Sequence, residues 1–185
     1  MKKENNFWLL SFFVFVAAIT RVLPHPDNVT AIGGMALFGG AYFNNKKTAL
    51  LMPLAAMFFS DMLLVVLFRL GFGNTPGIHN TLPFVYLAFV IAASIGFWVK
   101  KNITITRVYG GGLLASLVFF IITNFAVWLS GFYGFTLEGL ITCYVAAIPF
   151  YRNTFIGDMV FITLLFGSFE YLKKIAPKIA LVKVG

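Results

Sequence analysis

Few side chains in this sequence could do chemistry, and they lie scattered among long apolar runs. Arg21 and Arg152 can each clamp an anionic or carbonyl-bearing ligand through planar bidentate hydrogen bonds. Taken alone, each is better suited to pair with Asp61 or Asp158, or to reach towards lipid headgroups. Asp61 interrupts the run Thr48–Leu70. A carboxylate at the centre of a membrane helix costs about 2.5–3.5 kcal/mol, so it must face the interior of a bundle and find a partner, either a substrate or an arginine. His25, held between two prolines, and His79, in the turn-rich stretch Gly71–Thr81, are candidate loop ligands, as is Asn28. Asn124 and Trp128 stand one helical turn apart and present an amide and an indole to a flat ligand, or an amide bridge between helices. Tyr144 completes the candidate substrate-binding set of Arg21, His25, Asn28, Asp61, His79, Asn124, Trp128, Tyr144, Arg152 and Asp158.

No catalytic set accompanies them. The two histidines and the dispersed carboxylates have no zinc or di-metal spacing. Nucleophile-elbow, Walker and dinucleotide motifs are missing, and Gly110–Gly112 opens an apolar helix rather than following a strand. The lone Cys143 can form no internal disulfide. These observations predict a binding protein that is not an enzyme and carries no cofactor or metal.

The elements that position these residues are membrane helices. Of 185 residues 60% are hydrophobic and 11% charged, with a mean hydropathy of +0.91. A soluble domain of this length could not bury that much apolar surface. The net charge of +8 gives no sign of nucleic-acid binding, because its Lys and Arg residues form short clusters between apolar runs, as membrane-flanking charge does. The hydropathy predicts spans over about 7–23, 29–44, 48–70, 82–99, 108–129 and 155–172, in one transmembrane domain covering 1–185. Lys2 and Lys3 before the first span resemble a signal peptide, but Arg21 and Pro24 follow without a cleavage site, so the span is expected to stay uncleaved.

Leu137–Phe150 is harder to place. Its 14 residues reach about 21 Å as a helix, short of the ~30 Å hydrocarbon core, and Pro149 interrupts it. Charge decides among the possible topologies. If 29–44 crosses and 137–150 does not, eleven of the fourteen cations lie on one side, including every lysine, leaving Arg21, Arg69 and Arg152 opposite. This predicts an all-α polytopic membrane protein with six transmembrane helices, a short re-entrant or interfacial helix at about 137–150, and both termini cytoplasmic. The loops 24–30, 71–81 and 130–153 then share the outer face. Small residues at Gly33, Gly34, Ala36, Gly39 and Gly40, and at Ala88, Ala92 and Gly96, predict close helix packing.

The stretch Arg21-Val-Leu-Pro-His-Pro-Asp-Asn-Val-Thr running into Gly33-Gly-Met-Ala-Leu-Phe-Gly-Gly-Ala-Tyr-Phe is one of two distinctive segments. The other combines Asn124-Phe-Ala-Val-Trp with Gly139-Leu-Ile-Thr-Cys-Tyr-Val-Ala-Ala-Ile-Pro-Phe-Tyr-Arg-Asn-Thr and Gly157-Asp. Together they resemble a family of small bacterial membrane proteins grouped with transport. In plan that family is similar to the substrate-binding S components of energy-coupling factor (ECF) vitamin transporters. The resemblance implies a six-helix bundle in the bacterial cytoplasmic membrane that captures a vitamin or cofactor precursor from outside. Its implied partners are a transmembrane coupling protein and cytoplasmic ATPases. One departure stands out: S components commonly carry Ala-x-x-x-Ala in the first helix for docking, whereas Ala17 and Ala18 are adjacent here. Docking would then use the small faces at Ala36/Gly40 or Ala88/Ala92/Gly96, or the protein would work alone. A proton-coupled secondary transporter using Asp61 and Asp158, and a non-transporting scaffold, are the competing expectations.

Overall fold

A computed structural model describes residues 7–26, 28–72 and 76–182, with side chains in the last helix described as far as Ile175. Every regular element in them is helical: α1 Phe7–Ile19, running on into a 3₁₀ turn Thr20–Val22, then α2 Ile32–Tyr42, α3 Lys46–Arg69, α4 Leu82–Lys100, α5 Ile105–Leu129 and α6 Leu137–Val182. Four of them, α3 to α6, are long and apolar enough to cross a membrane; Phe7–Val22 and Ile32–Tyr42 are shorter apolar helices. The chain therefore has the character of a multi-pass membrane protein.

Local chemistry sets the boundaries. The first helix gives way at Leu23, which is extended at φ −74° and ψ 150° because the next residue is a proline. Asn28 takes a left-handed φ of 62° and turns the chain into α2. Asn45, Thr104 and Thr136 begin α3, α5 and α6 by accepting hydrogen bonds from the backbone N–H groups of Lys47, Arg107 and Gly139, at 2.8, 3.3 and 3.0 Å.

Successive helices alternate in direction. Phe7 meets Phe43 and Phe13 meets Phe38, so α1 and α2 are antiparallel. Tyr109 bonds Thr163 and Tyr144 bonds Ile121, so α5 and α6 form a long antiparallel hairpin. Gly33 and Tyr42 meet Asp158 and Glu170, which sets α2 parallel to α6.

The short helix α2 lies at the centre. Ile32 to Ala41 are all buried, and α1, α3, α4, α5 and α6 all pack on it. Its small residues allow this. A Cβ on Gly40 would lie 1.9 Å from the Ala93 carbonyl oxygen, and one on Gly96 would lie 2.5 Å from that of Leu37. The two small faces seen in the sequence thus meet each other, α2 against α4, at backbone-to-backbone distance. Neither remains as an alternative docking surface.

Residues 137–150 correct the expectation of a short helix separate from the last span. They form neither a re-entrant helix nor a separate interfacial piece, but continue through Pro149 into the span expected at 155–172 as one helix of 46 residues. That is about 69 Å of helix, more than twice the hydrocarbon thickness. Pro149 lacks one backbone donor, whereas ending the helix there would leave several backbone groups without their helical partners. Packing on α5 holds this half straight: Phe120 touches Tyr144 and Tyr151, with ring centroids 5.7 and 4.8 Å apart.

Candidate functional site

The charged residues that looked most chemical are brought into two buried centres. Arg21, in the 3₁₀ turn after α1, places Nη1 2.7 Å from Asp61 Oδ1 of α3; the Asp61 side chain is fully buried and that of Arg21 is 11% exposed. The same Nη1 donates to the Ser60 hydroxyl, and Tyr86 of α4 donates to Asp61 Oδ2 at 2.7 Å. Both carboxylate oxygens are therefore engaged, and α1, α3 and α4 are tied together. Gly77, from the loop after α3, closes over this centre: a Cβ there would lie 2.6 Å from the Asp61 carbonyl oxygen.

Asp158 of α6 pairs with no cation among the described residues. Its Oδ1 accepts from the Gly34 backbone N–H at 3.2 Å, with the Gly33 amide and the Ser116 hydroxyl of α5 adjacent. Helix α2 starts at Ala31, which offers no capping side chain, so Asp158 supplies the missing acceptor from another helix. Lys100 of α4 does the complementary work at the other end, donating to the Phe43 and Asn44 carbonyls. The central helix is thus capped at both termini by opposite charges borrowed from its neighbours.

Between Asn28 and the half of the α5–α6 hairpin nearest its turn lies a hollow of about 180 Å³. Asn28, Thr123, Asn124, Tyr151 and Thr154 supply its polar lining, and Phe119, Phe120 and Phe150 its aromatic walls. None of its lining residues carries a formal charge. The Asn124 amide donates to the Phe120 carbonyl at 2.8 Å, which fixes its orientation in the wall. The Tyr151 hydroxyl is buried and has no hydrogen-bond partner among the described residues. A buried hydroxyl left unpaired costs about 1–3 kcal/mol, which a ligand bearing a complementary group would recover.

Of the ten candidate residues, only Asn28 and Asn124 reach this hollow. Trp128 stacks instead on Phe125 and Phe135, with centroids 5.5 and 6.1 Å away. Tyr144 donates to the Ile121 carbonyl at 2.6 Å and serves helix packing. Arg152 is exposed on α6 beside Tyr151 without lining the hollow. His25 is exposed and bonds its own loop at Pro26 and Arg21, while exposed His79 bonds Thr81. Cys143 is buried, its Sγ 3.4 Å from the Asn124 carbonyl. Sequence reasoning passed over Tyr151, Thr123 and Thr154. Their signal was polar groups inside apolar helices at Thr123–Asn124, and at Tyr151 and Thr154 three residues apart on one face.

The chain belongs to a family of unknown function, DUF6580, which it matches over residues 1–179. No curated protein and no solved structure matches it.

Proposed function

We propose that this chain is a membrane-embedded binding subunit that captures a small, uncharged, ring-bearing nutrient from outside the cell. The observation that carries this reading is the unpartnered Tyr151 hydroxyl in an aromatic, charge-free hollow, with the side chains of Asn28, Thr123, Asn124 and Thr154 around it. Small-molecule sites combine apolar walls with a few converging polar groups in this way. In this reading all six helices cross the bacterial cytoplasmic membrane, in keeping with their alternating directions. The lysine-rich end (Lys46, Lys47, Lys100, Lys101, Lys173 and Lys174) then faces the cytoplasm and the hollow faces outward. A vitamin or cofactor precursor fits these limits. Uptake driven by ATP would require a coupling protein and ATPases of the ECF type as separate partners, since the sequence has no nucleotide-binding motif. Both carboxylates that a proton-coupled mechanism would need are engaged in helix packing, which favours capture over proton relay.

The test is to identify compounds co-purifying with the detergent-solubilised protein by native mass spectrometry, then to measure their affinity. Tyr151→Phe and Asn124→Ala are each expected to weaken binding about tenfold, the worth of roughly one hydrogen bond. Arg152→Ala is expected to leave binding unchanged. Equal affinities for Tyr151→Phe and the parent protein would overturn the assignment of the site. Cysteines at Ser130 and Lys101 should be labelled from opposite sides of the membrane, and labelling from the same side would overturn the topology.

A further inference from the structure

A larger hollow, about 490 Å³, opens at the opposite end of the molecule, between the start of α5 and the inner part of α6. Its walls are apolar: Ile103, Ile105, Val108, Ile162 and Phe166. Of the three hydroxyls that line it, those of Tyr109 and Thr163 bond each other at 2.7 Å, and that of Thr104 accepts from the Arg107 backbone N–H. Gly167 adds no bulk, and a Cβ built on it would meet nothing within 4 Å. Tyr109, Leu113 and Leu164 are exposed on the adjoining helix surfaces, so the crevice adjoins a face fit for lipid. Two lysines stand on its rim. Lys173 is committed, 2.7 Å from Glu170 and over the rings of Tyr42 and Phe169. Lys174 takes part in no ion pair among the described residues.

The apolar groove ends at two lysines and one carboxylate, Glu170, which Lys173 pairs and which also feels the charge of Lys174; the net positive rim matches a chain with an anion at its head. We infer that the crevice holds one anionic phospholipid. One of its two acyl chains lies along Val108, Ile162 and Phe166 across the bare Gly167, and its phosphate rests at Lys174. Basic recesses between helices at the cytoplasmic side recognise such headgroups through charge at a low-dielectric boundary. The inference rests on the membrane setting of the proposed function but not on the ligand at Tyr151, and the two can fail separately.

Native mass spectrometry of the full chain in detergent, titrated with phosphatidylglycerol or phosphatidylcholine of identical chains, tests it. Phosphatidylglycerol is expected to bind more tightly, and Lys174→Glu to erase that preference, a change of at least about fivefold. Lys47→Glu, outside the crevice, should leave it intact. Gly167→Trp fills open space and should weaken both lipids while the protein stays folded by thermal unfolding. Equal binding of the two lipids to the parent protein would sink the inference, as would equal effects of the two lysine reversals. Glycerol phosphate that displaced the lipid completely would reassign the crevice to a soluble anion.

Discussion

Asp61 and Asp158 are buried to almost the same degree, 0% and 2% exposed, yet they are stabilised by different means. Asp61 meets a formal cation, Arg21, and a phenol, Tyr86. Asp158 meets the first turn of α2 and a serine hydroxyl. The first centre stitches α1, α3 and α4; the second stitches α6 to α2 and α5. Removing an ion-pair partner leaves a whole charge buried and uncompensated, whereas removing a cap leaves backbone dipoles unsatisfied. The two halves of the bundle should therefore respond very differently to loss of a single side chain.

The largest effect is expected from Arg21→Ala, which strands Asp61 and should cost about 3–5 kcal/mol in a reversible unfolding measurement in detergent. The pair replacement Arg21→Met with Asp61→Leu should restore most of that loss, because it removes both charges together. If the double variant is as unstable as the single one, the pair is not what holds this centre. Next comes Asp158→Ala, expected to cost about 1–3 kcal/mol by leaving the α2 amides without an acceptor. Asp158→Asn keeps an acceptor oxygen and should cost less than half as much. An Asn variant as damaging as Ala would mean that charge at the α2 terminus, rather than hydrogen bonding, dominates. The smallest effect is Tyr86→Phe, about 1 kcal/mol, since Arg21 still neutralises Asp61. A Tyr86→Phe loss equal to that of Arg21→Ala would overturn the ranking of the two partners.

Much of the helical plan was legible before any coordinates. The span expected at 82–99 is helix Leu82–Lys100, and the one expected at 48–70 is Lys46–Arg69. Hydropathy runs and their capping residues carry that information directly. The small faces of Gly33–Gly40 and Ala88–Gly96 announced a close approach of helices, and Arg21 was already a named partner for Asp61. Pro149 misled, because a proline within a helix reads as a stop. Here the cost is one missing hydrogen bond, and α5 supports the helix on both sides of the interruption. The hollow was half visible: the sequence points to Asn28 and Asn124 but gives no comparable sign for Tyr151, whose role depends on what packs around it.

The sequence by itself determined the apolar, membrane-helix character of this protein and the positions of most of its helices, and it offered Arg21 as one of the candidate partners of Asp61. Those depend on side-chain type, and side-chain type is what a sequence records. Only the tertiary structure decided that Asp158 caps a helix 124 residues away, that Lys100 closes the other end of that helix, and that Tyr151 faces a hollow. In the first two cases the partner is a main-chain amide or carbonyl, the same in nearly every residue, so no pattern of residue types can point to it. In the third, the missing partner is a property of the surrounding space, which exists only once the helices have packed.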